Sequence, residues 1–394
     1  MQTMRRSVAM LLNIAHGIDH LFLLIFATAV GAIASDFGLA RWEDLMPFGA
    51  GAFLLFGLGS IPSGRLGDLW GRRPMMLVFF FGMGLSALLV SATQGPWQLA
   101  AALTLMGAFA SIYHPVGIPM LVQHAERPGA AIGVNGLSGN LGIAAAALST
   151  GFLVEHAGWR AAFAVPGLAS LAVGVLFWRI APHESEPPAH RVKRAAVTLE
   201  PRALARVLLV VTMASATGGL IFNLTTNGNA QMLGERVAGL AADPSRLGVL
   251  LAVVYAVASL AQVVMGRLID RYALKPLWLT VVLVQAPMLA VAAAAPGWWT
   301  WLALLGLMVF VFGSIPFIDA TIVRFVDDRM RSRVSGMRLA VSLGISSAAV
   351  WALGPAVKAA GFTTLFLAMS GIAVFTAGLL LLLPPEPRPQ ENPA

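Results

Sequence analysis

The sequence predicts an all-α integral membrane protein in which twelve transmembrane helices form two pseudo-symmetric six-helix bundles. Three observations predict it. Hydrophobic residues make up 58% of the chain and charged residues only 11%, against roughly 25% charged in an ordinary soluble domain. Apolar runs of about 20 residues, the length needed to cross a bilayer, recur from end to end. A charged segment also occurs twice, 202 residues apart. Its first copy runs Gly64-Arg65-Leu66-Gly67-Asp68 on to Arg72-Arg73-Pro74, and its second runs Gly266-Arg267-Leu268-Ile269-Asp270 on to Lys275-Pro276. Glu126-Arg127 matches Asp328-Arg329 at the same offset, as Leu141-Gly142-Ile143 matches Leu343-Gly344-Ile345. A repeat at half-chain distance in an apolar protein means two equivalent bundles, the architecture of a secondary transporter.

The elements follow in order. Spans are predicted at 8–35, 46–67, 74–93, 97–123, 129–155 and 160–181, then at 204–232, 246–268, 277–295, 298–324, 332–358 and 363–384. The first half is therefore 1–181 and the second 204–384. Residues 182–203, with His183-Glu184-Ser185-Glu186-Pro187-Pro188 and Arg191-Val192-Lys193-Arg194, read as a cytoplasmic linker. The proline-rich tail 385–394 reads as disordered. Arg5 and Arg6 precede an apolar stretch too long for a leader's h-region, with no small-residue cleavage site after it. That stretch is the first helix.

The net charge of +8 could suggest nucleic acid, but its placement argues for topology instead. With the N-terminus inside, 21 of the 26 Lys and Arg residues fall on the cytoplasmic side. The outer side holds Arg41, Arg160, Arg236, Arg246 and Lys358. Both termini are then cytoplasmic, in a bacterial inner membrane. Trp97, Trp298, Trp299 and Trp301 fall where outer interfaces are predicted. No nucleic-acid partner is expected; the partners are the bilayer, protons and a small-molecule substrate of a monomeric protein. With no cysteine there is no disulfide, thiolate metal site or thiol nucleophile. No metal ligand set and no cofactor are expected, and the proton gradient is the energy source.

The sequence resembles the major facilitator superfamily over essentially its whole length. The resemblance rests on the Gly64–Pro74 loop between the second and third spans and on its degraded copy between the eighth and ninth. Leu69 stands where that family usually has arginine. The resemblance implies that Asp68, Arg72 and Asp270 act as a conformational latch holding the halves in the outward-facing state. A narrower resemblance is to the fosmidomycin-resistance branch. It is carried by Ser111-Ile112-Tyr113-His114-Pro115, by Gly139-Asn140-Leu141-Gly142, and by His16 with Asp19 in the first helix. The chain departs from that branch at Val116, where an acid is expected.

An ionisable side chain at mid-membrane costs about 2.5–3.5 kcal/mol on insertion scales, so each one requires a reason. His16, Asp19 and His20 are spaced to share one helical face. A carboxylate beside two imidazoles in a low-dielectric cavity can relay protons or face a substrate charge; the alternative is a clamp between helices. His114 precedes a proline that frees a backbone carbonyl, so a kink and a local polar site are predicted there. Tyr113 can line the same site. Asn140 fits cavity hydrogen bonding, while Gly136, Gly139 and Gly142 around it read as close helix packing. The seventh span carries Asn223, Thr225, Thr226, Asn227, Asn229 and Gln231, which reads as a water-lined, gating outer half broken near Gly228. Asp319 and Arg324 are expected to pair as a structural or gating couple, and Arg338 to be free for a substrate carboxylate or phosphonate. Gln262 is a further cavity amide, and Arg160 after Gly158-Trp159 an interfacial tie.

These residues point to a proton-coupled antiporter exporting a small amphipathic or drug-like compound by rocking 1–181 against 204–384. The alternative is an uptake symporter or facilitator. A membrane enzyme or sensor is the weakest reading, because the sequence has no His-Glu-x-x-His, no Gly-x-Ser-x-Gly and no phosphate-binding P-loop.

Overall fold

The computed structural model describes residues 2–123, 128–183, 201–325 and 328–384. Glu126 and Arg127 of the repeat, linker residues 184–200 and the tail 385–394 lie outside them. Hydrocarbon offers backbone groups no water to bond, so the chain crosses it as helices whose bonds close internally. No strand occurs among the described residues.

The first half comprises α1 (Gln2–Asp36), α2 (Ala50–Trp70), α3 (Arg72–Ser91), α4 (Pro96–Ala110), α5 (Ile118–Val122), α6 (Pro128–Ala157) and α7 (Trp159–Ile180). A π-helical turn over Tyr113–Gly117 joins α4 to α5, so that the three pieces make one crossing. The second half comprises α8 (Pro201–Arg236), α9 (Pro244–Ile269), α10 (Leu274–Ala294), α11 (Trp298–Gly313), α12 (Ile315–Phe325) and α13 (Asp328–Leu380). Among the described residues eleven stretches are long and apolar enough to span a membrane, and the last, Met337–Leu380, is 44 residues long. It holds both of the final two predicted spans. The expected loop between them is a single residue: Gly361, at φ 75° and ψ 166°, turns the chain without interrupting its helical bonding pattern. Only glycine enters that backbone region without a Cβ penalty. The predicted break at Gly228 is absent, and α8 runs through it.

The repeat is structural as well as sequential. Arg73 donates through Nε to the Ala181 carbonyl (2.8 Å) and through Nη2 to that of Trp178 (2.7 Å). Lys275, 202 residues later, donates through Nζ to the carbonyls of Leu381 (2.7 Å) and Leu383 (2.9 Å). Each half thus uses the basic residue of its charged loop to satisfy orphan carbonyls where its own last span ends. A cation there also meets the negative end of the helix dipole.

Among the described residues, hydrogen bonds and ion pairs between the halves lie at one end of the molecule, opposite the two charged loops. Gln231 Nε2 donates to the Ala27 carbonyl at 2.6 Å, and Ser347 Oγ to that of Ala50 at 2.8 Å. Lys358 Nζ meets Asp44 Oδ1 at 2.5 Å, and the Ser245 amide donates to Glu155 Oε2 at 2.9 Å. Trp42 stacks on Phe362 with ring centroids 6.1 Å apart. At the charged-loop end the observed bonds stay within a half. Arg72 donates to the Pro119 carbonyl (3.0 Å) and to Gln123 Oε1 (2.9 Å), and Arg324 donates to the Ile269 carbonyl. Asp68 and Asp270 are exposed and, among the described residues, form no ion pair. Among the described residues, the hydrogen bonds and ion pairs between the halves thus lie at the end away from the charged loops.

The cysteine-free background makes this asymmetry directly testable. Asp44→Cys with Lys358→Cys should be joined by a short bifunctional thiol crosslinker in the purified, cargo-free protein. Asp68→Cys with Asp270→Cys should not, as read by mobility on non-reducing gels after site-specific proteolysis.

Candidate functional site

The site is built where α1, the π turn and α6 converge. In a π turn the backbone bonds i to i+5, which widens the helix by one residue. Pro115 sits inside this one and cannot donate a backbone hydrogen bond. The kink predicted at Pro115 is therefore a local widening. It presents two consecutive side chains, Tyr113 and His114, toward α1.

Two glycines of α6 bring that helix against α1. A Cβ on Gly142 would lie 2.2 Å from the Gly17 carbonyl oxygen, and one on Gly139 would lie 2.7 Å from the His16 ring. At this approach His16 Nδ1 donates to the Asn135 carbonyl at 2.7 Å. The Asn135 side chain donates to Tyr113 Oη at 2.7 Å and to Asn13 Oδ1 at 2.9 Å, and Tyr113 Oη donates to the Leu12 carbonyl at 2.9 Å. Tyr113 also stacks on His16, with centroids 4.8 Å apart. Tyr113 is thus a structural support of the cluster and not a free cavity hydroxyl.

Around this frame the ionisable groups close up. The His16 ring is 4.6 Å from that of His20 and 5.1 Å from that of His114, centroid to centroid, and His20 and His114 are 5.8 Å apart. Their ligand-capable nitrogens all lie within 4.8 Å of one another. Asp19 is fully buried, with Oδ2 3.6 Å from His114 Nε2, and neither carboxylate oxygen has a hydrogen-bond partner. His16 Nε2 is likewise buried without a partner. An unpaired carboxylate away from water is the costliest group a fold can hold. Such an arrangement can take up a proton, a cationic group or a metal ion.

The second half contributes Arg338, on α13. The expected pair of Asp319 with Arg324 does not form. Asp319 Oδ1 instead meets Arg338 Nη2 at 3.0 Å, while Arg324 is directed at the end of α9. Five residues put Asp319 and Arg324 about 140° apart around a helix with 3.6 residues per turn, so their side chains diverge. Arg338 is consequently engaged and not free, although its Nε is buried without a partner. Asp319 is 62% exposed and lies in the last turn of its span, Trp298–Ile322.

Asn223 and Asn227 do not line water. Both are buried; Asn223 donates to Ser346 Oγ (2.7 Å) and to the Gly219 carbonyl, and Asn227 donates to the Asn223 carbonyl. They join α8 to α13. Asn140 is buried but makes no side-chain hydrogen bond among the described residues, and Asn135 holds the place given to it. The missed signal is periodic: Asn135, Gly139 and Gly142 share a face at i, i+4 and i+7, and Asn140 lies off it. Val116 is buried, and a Cβ on Gly67 would lie 2.8 Å from its Cγ2. It fills space beneath the charged loop. Arg160 ties α7 to Asp36 Oδ2 (2.8 Å) and to the Thr93 carbonyl (3.1 Å).

Two helical halves with a repeated charged loop, the first of them holding a buried polar cluster, have the architecture of a membrane transporter. The family model of the Major Facilitator Superfamily matches residues 12–241 and 208–394, and the chain belongs to that family. It is 26% identical over 341 residues to a maltose permease of Geobacillus stearothermophilus, covering 83% of this chain and 84% of the permease. It is 24% identical over 369 residues to the multidrug resistance protein MdtG of Salmonella dublin, covering 90% and 88%. Shorter matches reach a probable actinorhodin transporter of Streptomyces coelicolor and a puromycin resistance protein of Streptomyces alboniger. The chain spans only 26% and 22% of the lengths of those two. In three dimensions it resembles a bacterial homolog of the human lysosomal transporter Spinster, solved inward-facing and occupied. That likeness has a TM-score of 0.75 at 16% identity, over 96% of both chains.

The close approach of α1 and α6 generates a prediction. Gly142→Val should force the two helices apart and cost about 1–3 kcal/mol, as overpacking does elsewhere. A lowered thermal unfolding temperature in detergent should report it. Gly133→Ala, where a Cβ meets nothing within 4 Å, should leave that temperature unchanged.

Proposed function

We propose that this transporter exports a small amphipathic organic compound in exchange for protons, from a bacterial cytoplasmic membrane with both termini inside. The observation that carries the reading is Asp19, a buried carboxylate with no hydrogen-bond partner on the cavity side of the first half. A proton or a cargo group can each compensate its charge, but both cannot occupy it together. That exclusion is what links two opposed fluxes. His114 lies 3.6 Å from Asp19 and adjoins His16 and His20, so the three rings extend the proton path from the carboxylate, and the Arg338–Asp319 pair supplies charge from the second half.

The excess of basic residues at the charged-loop end supports placing that end in the cytoplasm. The open, unlatched side is then the cytoplasmic one, where cargo enters. Closing that side brings Asp68, Arg72 and Asp270 into register as the latch, while the bonds of Gln231, Ser347 and Lys358 break. Relatives named for multidrug and puromycin resistance support export, as does the resemblance to the fosmidomycin-resistance branch. A maltose permease among the relatives supports uptake as the second reading.

Asp19→Asn keeps the volume of the side chain and removes its charge. The variant should reach the membrane at wild-type levels and lose proton-gradient-driven efflux of lipophilic compounds from everted vesicles by at least about tenfold, the weight of one positioned charge of about 1.4 kcal/mol. Undiminished efflux by Asp19→Asn would remove it as the coupling group. Increased sensitivity of cells expressing the wild type would favour uptake.

A further inference from the structure

We propose that His16, His20, His114 and Asp19 form a binding site for one divalent transition-metal ion of the zinc type. The sequence alone does not show it, because His114 lies 98 positions from His16 and the π turn is what brings it in. Three features of the geometry point to a metal. The first is the donor set. Three imidazoles offer nitrogen atoms within 4.8 Å of one another, and a carboxylate oxygen lies 3.6 Å from one of them. Three histidines and one acid suit zinc, cobalt or nickel; magnesium and calcium prefer all-oxygen sites, and copper(I) prefers sulfur.

The second feature is the second shell. His16 Nδ1 donates to the Asn135 backbone carbonyl at 2.7 Å, which fixes the ring and leaves Nε2 as the lone-pair atom. A histidine ligand is typically held in this way, with its other nitrogen bonded to a carbonyl or carboxylate. The third feature is what is left unsatisfied. His16 Nε2 and both Asp19 oxygens are buried without partners, on residues only 5% and 0% exposed. A cation held by His16 Nε2 and His114 satisfies the first of these atoms, and its charge compensates the carboxylate that lies 3.6 Å from His114.

Nitrogens bound to one zinc ion at about 2.0–2.1 Å stand about 3.3 Å apart in a tetrahedron, so the rings must draw together. His20 and His114 make no hydrogen bond among the described residues and are the two that can turn. Both are only half-buried, which gives the ion a way in from the cavity. The neighbouring charge of Arg338 is compensated by Asp319 at 3.0 Å. The site shares Asp19 with the proposed coupling path but does not depend on export, since metal binding is read on purified protein and transport in vesicles.

The test is a zinc titration of the detergent-purified, tag-free protein against a chromophoric zinc indicator. Wild type should bind one ion per chain. His20→Ala and His114→Ala should each weaken binding by more than the roughly 10–100-fold that loss of a second-shell partner costs. His156→Ala, a ring stacked on Phe152 away from the cluster, should bind as the wild type does. Cobalt(II) added to the wild type should give the intense visible bands of a four-coordinate centre, and Asp19→Asn should lose them while remaining monodisperse. Absence of saturable zinc binding by folded wild type, or equal affinity in a folded His20→Ala/His114→Ala double variant, would overturn the site.

Discussion

Much of this structure depends on keeping one carboxylate in a place where water cannot reach it and no donor satisfies it. Asp19 is buried in the first span, and its nearest polar neighbour is an imidazole beyond hydrogen-bond distance. Hydrocarbon would neutralise or expel such a group. Its retention rests on the rigid ring of helices around it. The α1–α6 approach through Gly139 and Gly142, the Asn135 bonds that anchor His16 and Tyr113, and the π turn beneath His114 all serve that ring. Loosening any of them gives the carboxylate either water or a partner.

The fold was almost wholly legible in the sequence, because lipid leaves few choices. Span length, the positions of the charged loops and the 202-residue repeat follow from hydropathy and arithmetic, and the structure departs from them mainly at the joint of the last two spans. One glycine there replaces the expected loop, and hydropathy cannot distinguish a one-residue turn from a short connection. The first-helix cluster was legible because His16, Asp19 and His20 share one face of one helix. What sequence could not supply was partnership across helices. Asp319 looked toward Arg324 along its own segment and found Arg338 on another. Asn135, which bonds His16 and Tyr113, is not among the residues the sequence singles out, although the glycine stripe marks the face of α6 that meets α1. The amides of α8 looked wet because they are polar, yet they are dry because α13 covers them and Ser346 accepts from Asn223.

The two halves behave as separately braced units. Arg73 and Lys275 occupy equivalent places and bond the carbonyls at the end of the last span of their own half, so each bundle is clasped from its charged loop to its final helix. Interactions within a half are many and buried, whereas the bonds between halves gather at one end. A rigid-body rocking motion needs this division: stiff bodies and a seam whose bonds can break together. The last basic residue of each charged loop braces its half, while Asp68 and Asp270 stand exposed.

The seam also has an unequal genetic liability. Gln231 and Ser347 both belong to the second half, and both bond backbone carbonyls of the first, those of Ala27 and Ala50. A carbonyl belongs to the main chain and survives a change of side chain. Point substitutions in the second half can delete these two bonds outright, whereas substitutions at Ala27 or Ala50 can only obstruct them. The Ser245 amide reverses the pattern, since there the first half supplies the side chain, Glu155, and the second the main chain. Of these contacts, only the Lys358–Asp44 pair can be deleted by a substitution on either side.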